Sequence, residues 1–131
     1  MSLLGVLRST RKMNSLVFKI GVLLVIAIVV GGWLFLRAGT ISGARAREMV
    51  HGGALLVDVR TNAEFASGHI EGAVNIPVSE LETRLLELGA KQGSIVVYCR
   101  SGARSALALR FLESQGYTTV ANLGAMTSWA P

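Results

Sequence analysis

The sequence predicts an α/β domain, a small parallel sheet flanked by helices, preceded by one N-terminal transmembrane helix. Two runs of aliphatic, β-branched and aromatic residues, at 55–59 and 95–98, are typical of strands buried on both faces of a parallel sheet. Helix-forming segments with capping residues and glycine stop signals separate the apolar runs, and this alternation favours a parallel sheet covered by helices. A long uncharged stretch over 20–36 lies outside that pattern.

The uncharged stretch is long enough to cross a bilayer. Counted from Leu16 to Leu36 it has 21 residues with Lys19 as its single charge, and a helix of that length spans about 30 Å. The alternative is a cleaved signal peptide, whose apolar region usually has about 7 to 15 residues and is followed closely by a small-residue site. Here Arg37 follows at once, so we expect a retained anchor. The predicted divisions are a basic flank at 1–15, a transmembrane helix at 16–36, a linker at 37–41 and a domain at 42–131.

Charge is distributed unevenly along the chain. Residues 1–37 carry five basic side chains and no acidic one, which accounts for the formal charge of +5, whereas residues 38–131 carry eight of each sign. This pattern indicates a basic membrane flank rather than a nucleic-acid partner. Four basic residues precede the uncharged stretch and three follow it, which slightly favours an N-terminus inside and a domain outside, in the periplasm if the chain is a bacterial inner-membrane protein. They are Arg8, Arg11, Lys12 and Lys19 before the uncharged stretch, and Arg37, Arg45 and Arg47 after it.

Capping residues place the first helices of the domain. Ser42 has the position of an N-cap for a helix that ends at Gly52. Thr61 and Glu64 have the spacing of a capping box, which predicts a short helix over 62–67.

Two further helices are predicted to face the core with large apolar side chains. Ser79 and Glu82 repeat the capping-box spacing before a helix that ends at Gly89, and a short strand is expected over 74–76. Good helix formers over 103–115 predict the second of these helices. The side chains expected to face the core are Leu81, Leu85, Leu86 and Leu88 in the first and Leu107, Phe111 and Leu112 in the second.

The apolar run at 95–98 stops at Cys99, the only cysteine in the chain, and turns into a small polar loop. Gly102 permits a tight turn, and the free N–H groups and positive dipole end of the following helix stabilise a thiolate. Arg100 and Arg104 add positive charges that lower a cysteine pKa. The alternative is an inert core cysteine. Two arginines, two serines and a glycine in the next six positions favour a sulfur nucleophile in an anion-binding loop.

Asp58 interrupts the first buried strand, and a buried carboxylate needs a partner. We expect Asp58 to bond backbone N–H groups or to pair with Arg60, with a direct chemical role as the alternative. Since functional residues in parallel sheets gather at the carboxyl ends of strands, both residues are expected to support the site at Cys99. His69 precedes a turn, and we expect its ring to be hydrogen-bonded to the backbone rather than catalytic.

Several motifs resemble those of the rhodanese superfamily of sulfurtransferases. Residues 99–105, CRSGARS, have the form C-R-x-G-x-R-[ST] of that family's active-site loop. Residues 64–77, EFASGHIEGAVNIP, are similar throughout to its E-F-x-x-G-H-I-x-G-A-x-N-I-P segment, and the LVDVR of 56–60 continues the resemblance. Residues 122–129, NLGAMTSW, are similar to its closing N-L-x-G-G-x-x-x-W pattern, with a compressed register and one glycine absent. The resemblance covers about residues 42–131 and implies a rhodanese-like fold.

The resemblance also implies an activity. The Cys99 thiolate would take a sulfane sulfur as a persulfide from a small anionic donor such as thiosulfate, and pass it to a thiol or to cyanide. No metal or organic cofactor is required. The loop that would bind the anion consists of Arg100, Ser101, Gly102, Ala103, Arg104 and Ser105.

Two other functions use similar features. A cysteine phosphatase or arsenate reductase also places a cysteine in an anion loop that ends in arginine. The cysteine phosphatases resemble C-x5-R, whereas only four residues separate Cys99 from Arg104, a smaller loop that suits a single sulfur atom. A membrane-anchored binding or regulatory module without turnover is the second alternative. Such modules commonly lack the cysteine, which is present here.

Overall fold

The structure is a computed structural model that describes residues 3–37 and 39–130, with side chains described at 15–32 and 39–130. The chain forms two structural units, an N-terminal helix and the domain that follows it.

The first unit is a single long helix, α1, over Leu3–Arg37. Its segment Ser15–Gly32 is long and apolar enough to cross a membrane by length and composition, a test that a signal sequence also passes. The apolar side chains of this segment are exposed, as the predicted anchor requires. Four side chains used in the charge count lie outside the described residues, namely Arg8, Arg11, Lys12 and Arg37.

The domain is built on a four-stranded parallel sheet with the strand order β2-β1-β3-β4, which confirms the predicted α/β class. The strands are β1 (Leu55–Asp58), β2 (Val74–Asn75), β3 (Ser94–Cys99) and β4 (Thr119–Ala125). The helices are α2 (Gly43–His51), α3 (Asn62–Ala66) and α4 (Ala103–Ser114), and short 3-10 helices cover Val78–Thr83, Leu85–Leu88 and Met126–Trp129.

The core lies on both faces of the sheet, and alternation along β3 assigns its side chains to one face or the other. Val97 and Cys99 pack on one face with Leu112 of α4. Tyr98 packs on the opposite face with Ala46 of α2. The last residue of β3 lies against the start of α4, where the N-cap residue Gly102 contacts it.

The predicted capping interactions of α2 and α3 are present. The Oγ atom of Ser42 accepts a hydrogen bond from the N–H of Arg45 at 3.2 Å. The hydroxyl of Thr61 accepts from the N–H of Glu64 at 3.2 Å, and the Glu64 carboxylate accepts from the N–H of Thr61 at 3.1 Å. Both predicted starts are confirmed, and the predicted end of α3 differs by one residue.

The helix predicted after Ser79 is wrong. Two short 3-10 helices replace it, and the first begins after Pro77 without a side-chain cap. Arg84 separates them with a non-helical backbone, φ −119° and ψ 19°. A 3-10 helix has three residues per turn, so Leu86 does not share the buried side of Leu88. Leu86 is 98% exposed, contrary to its predicted place in the core.

Helix α4 buries part of the predicted stripe. Leu112 is fully buried and Phe111 packs partly buried against the core, as expected, whereas Leu107 is 58% exposed. The buried stripe also contains Ser105 and Ala108, which are spaced for one side of a helix. These small residues allow α4 to lie close to β3, and this orientation directs Ser105 toward Cys99.

Candidate active site

Cys99 ends β3, and donors at the start of α4 surround its sulfur. The backbone N–H of Gly102 donates to Sγ at 3.0 Å, and the Oγ atom of Ser105 lies 3.6 Å from Sγ. Gly102 has a φ of +100°, a backbone conformation that side chains rarely adopt, and this turn aims its N–H at the sulfur. Cys99 has no exposed surface.

The environment of Cys99 acts on its pKa in two opposite ways. Burial raises the pKa of the thiol, because it disfavours the charged form. Hydrogen bonds lower it, first the bond with the Ser105 side chain and then those with the N–H groups of Ser105, Gly102 and Ser101. The hydrogen bonds prevail, so the pKa lies below its usual value of 9.0. The main lowering contributions are therefore loop hydrogen bonds rather than the two arginine charges invoked from the sequence.

Arg104 is not a free cation. Its Nη1 and Nη2 atoms donate to the two carboxylate oxygens of Glu64 at 2.6 and 2.8 Å. The hydrogen bond from Arg104 is the main reason why the pKa of Glu64 lies far below its usual range. Sequence reasoning assigned Glu64 only to the capping box and missed this contact. The sequence carries no local signal for it, because α3 and α4 begin at the same edge of the sheet only when β1 and β3 are neighbouring strands.

The rest of the predicted loop divides into exposed and buried residues. Arg100, Ser101 and Ala103 are exposed, whereas Gly102 is buried with Ser105. Within the described part of the chain, Arg100 takes part in none of the ion pairs. Its charge is therefore the one on this loop that an approaching anion meets first.

Asp58 and Arg60 form the buried pair that the sequence suggested. The Nε atom of Arg60 donates to both carboxylate oxygens of Asp58 at 3.0 and 2.9 Å, and the Arg60 N–H adds a bond of 2.9 Å. Arg60 also donates from Nη2 to the carbonyl of Gly68 at 2.7 Å. In the sheet register Asp58 lies beside Tyr98, the residue before Cys99. None of the described hydrogen bonds of this pair reaches the sulfur. The pair instead links the end of β1 to the carbonyl of Gly68.

The end of β4 supports the loop from its other side. The register of β3 and β4 shifts by one residue here, and the side chain of Asn122 accepts the N–H of Gly124 at 2.8 Å. The carbonyl of Gly124 lies 3.5 Å from the hydroxyl of Ser105. A Cβ atom added at Gly102 would lie 3.6 Å from the Cα of Gly124, so the two backbones lie close together. The motif at 122–129 thus contributes backbone contacts to the loop that holds Gly102 and Ser105.

His69 makes the backbone contact that was predicted. Its Nδ1 atom lies 2.9 Å from the carbonyl oxygen of Phe65, and the two rings stack with centroids 3.6 Å apart. Among the described residues, no group of three or more His, Cys, Asp or Glu side chains could hold a metal ion.

Fold and site together define a parallel α/β domain with a single cysteine at a helix start, where a backbone N–H donates to its sulfur. The family model of the Rhodanese-like domain matches residues 42–131, and the chain belongs to this family. The resemblance drawn from the motifs is thereby confirmed.

Similar proteins carry sulfurtransferase names. A sulfurtransferase of Allochromatium vinosum is 47% identical over 77 residues, which cover 58% of this chain and 71% of that protein. The human thiosulfate:glutathione sulfurtransferase is 38% identical over 107 residues, which cover 70% of this chain and 93% of that protein. The structure of the human single-domain sulfurtransferase TSTD1 has a TM-score of 0.63 at 36% identity, covering 70% of this chain and 95% of that one. These relatives support a sulfurtransferase activity of the rhodanese type.

Proposed function

We propose that the chain transfers a sulfane sulfur through a persulfide on Cys99, from a small anionic donor such as thiosulfate to a thiol or to cyanide. The Cys99 thiolate attacks the outer sulfur of thiosulfate, the sulfur–sulfur bond of the donor breaks, and sulfite leaves with the electron pair. The acceptor then attacks the terminal sulfur of the persulfide, and Cys99 leaves as a thiolate. Charge and atoms balance in both steps without an external oxidant or reductant.

The observation that carries the proposal is the 3.0 Å contact from the Gly102 N–H to the sulfur of Cys99. Together with the N–H groups of Ser101 and Ser105, it forms a preorganised set of donors for an anionic sulfur. Such donors stabilise both anions of the cycle, the thiolate that attacks and the persulfide that it becomes. A relative named for thiosulfate and glutathione supports the choice of an anionic donor and a thiol acceptor.

Access to the sulfur is part of the proposal. Cys99 has no exposed surface, so the loop must open before a donor reaches Sγ, and Arg100 and Ser101 are the exposed residues that directly follow Cys99. The positive charge of Arg100 attracts the donor to this point. We therefore propose that Arg100 acts in recruitment of the anion and that the backbone N–H groups act on the sulfur.

The test is an intact mass spectrum of the full chain in detergent after treatment with thiosulfate. We expect a gain of one sulfur atom, and its loss after cyanide is added. Cys99→Ser should gain none while keeping its circular dichroism spectrum, because the two side chains are nearly isosteric. A wild-type chain that stays at its original mass, or a Ser variant that gains sulfur, would overturn the proposal.

The same preparation separates the two alternatives. A binding module without turnover would neither gain sulfur from thiosulfate nor convert cyanide to thiocyanate. A cysteine phosphatase would release phosphate from an aryl phosphate ester, whereas the four-residue spacing between Cys99 and Arg104 leads us to expect no such release.

We further propose that residues 16–36 remain in the mature chain as a single-pass anchor of a bacterial inner membrane. The exposed apolar segment Ser15–Gly32 supports this proposal. The test is the mass of the chain purified from the membrane fraction after an alkaline wash. We expect the mass of the full-length chain. A chain that begins beyond residue 36, recovered in the soluble fraction, would identify the segment as a cleaved signal.

A further inference from the structure

The Glu64–Arg104 pair joins two elements that are 40 residues apart in the chain. Glu64 lies in the first turn of α3, where Thr61 holds its carboxylate through the backbone N–H and the hydroxyl, both at 3.1 Å. Arg104 lies in the first turn of α4. The Glu64 carboxylate therefore connects the start of α4 to the capped helix α3, which follows the neighbouring strand β1.

This ion pair acts on the turn that supplies the hydrogen-bond donors to the sulfur of Cys99. Arg104 immediately precedes Ser105, whose hydroxyl lies 3.6 Å from the sulfur of Cys99. The same first turn begins at Gly102, whose N–H donates to the sulfur at 3.0 Å. A fixed Arg104 side chain therefore restrains the backbone between these two contacts.

The exposure of the pair indicates that its main effect is geometric. The side chain of Arg104 is 32% exposed and that of Glu64 is 26% exposed, and ion pairs in contact with water contribute little to global stability. Two parallel hydrogen bonds of a guanidinium nevertheless define an orientation strongly. We infer that Glu64 is a positioning residue, which holds Arg104 so that the first turn of α4 keeps its donors directed at Cys99. The inference deepens the proposed function and rests on it for its biological meaning.

A positioning role and a purely electrostatic role predict opposite effects of Glu64→Gln. Removal of a negative charge near a thiol lowers the pKa of that thiol by Coulomb's law alone. Loosening of the first turn weakens the hydrogen bonds to the thiolate and raises the pKa. The sign of the change therefore distinguishes the two roles. Other charged groups at this end of the sheet stay in place in this variant, namely Asp58 at the end of β1, Arg60 just after it, and Arg100 and Arg104 in the loop.

The experiment measures the alkylation rate of Cys99 by iodoacetamide against pH, with the full chain in detergent. Because Cys99 is the only cysteine, the rate reports this thiolate alone. For Glu64→Gln we expect the midpoint of the profile to rise by about half to one pH unit. The midpoint is the readout, because the absolute rate also depends on how readily the enclosed sulfur of Cys99 becomes accessible. Alkylation requires no sulfur transfer, so the outcome is independent of the thiosulfate experiment.

The control is Glu87→Gln, which breaks a bidentate pair of the same kind with Arg84, at 2.7 Å for both hydrogen bonds, away from Cys99. Its profile should match that of the wild type. A second test variant, Arg104→Lys, keeps the charge but loses the paired hydrogen bonds, and its midpoint should also rise. It decides the question if Glu64→Gln fails to fold by circular dichroism. An unchanged or lowered midpoint in a folded test variant, or an equal rise in the control, would overturn the inference.

Discussion

The backbone N–H of Gly102, the N-cap residue of α4, donates to the Sγ atom of Cys99 across 3.0 Å. The donor belongs to the backbone, so its position depends on the conformation of the loop rather than on a side-chain rotamer. That conformation requires the φ of +100° found at Gly102. The chemistry of the sulfur is therefore tied to a position that favours glycine.

Gly102→Ala should impair sulfur loading more than stability. A Cβ atom at this position would lie 3.6 Å from the nearest heavy atom, the Cα of Gly124, which is ordinary contact, so the strain comes from φ alone. We expect a loss of about 1–2 kcal/mol in the free energy of unfolding, because a left-handed residue with a side chain costs that much.

Sulfur uptake from thiosulfate should fall by a larger factor in this variant, about 100-fold, because the N–H shifts away from the sulfur. The measurements are urea unfolding and the time course of sulfur uptake by mass spectrometry. Uptake at the wild-type rate would show that the Gly102 contact is dispensable.

Asp58→Asn should be among the most destabilising single substitutions in the domain. It leaves the guanidinium of Arg60, which is 5% exposed, without a counter-charge. Breaking one side of a buried pair costs about 3–5 kcal/mol in the free energy of unfolding. Urea unfolding checks the value, with Glu48→Gln, which breaks the exposed pair with Arg45, as a control expected to change little. Similar losses in both variants would contradict the role of burial.

The free energy of unfolding should depend on pH through the ionisation of Cys99. The pKa of Cys99 in the folded chain is lowered from its usual 9.0, so the folded state binds the proton more weakly than the unfolded state. The resulting stabilisation is fully present above pH 9 and is lost as pH falls through the folded pKa. The difference in unfolding free energy between the wild type and Cys99→Ser should therefore increase from neutral pH to pH 9. A difference that decreases over this range would contradict the lowered pKa.

The side of the membrane can be tested with an exposed reporter. Cys99 has no exposed surface and is a poor target for a bulky reagent, so we choose Glu82→Cys in the Cys99→Ser background, because Glu82 is exposed. The charge count around the span predicts that a membrane-impermeant maleimide labels this cysteine in intact spheroplasts. Labelling that appears only after lysis, with the fold intact, would place the domain inside.

Local signals in the sequence were sufficient for much of the fold. The N-cap at Ser42 and the capping box of Thr61 and Glu64 act within one helical turn, and both are present as predicted. The run at 95–98 is buried on both faces because core residues cover both sides of the sheet, with α4 on one face and α2 on the other. The same spacing rule failed after Ser79, where Arg84 interrupts the segment and two 3-10 helices form instead.

The sequence by itself determined the family, the place of Cys99 at the end of a strand and the turn at Gly102, because each depends on residues adjacent in the chain. Only the tertiary structure decided that Arg104 is held by Glu64 and that the sulfur is fully enclosed. The physical reason is that both depend on which strands are neighbours. β1 and β3 lie side by side, which brings together first turns that are 40 residues apart, and no local pattern encodes that adjacency.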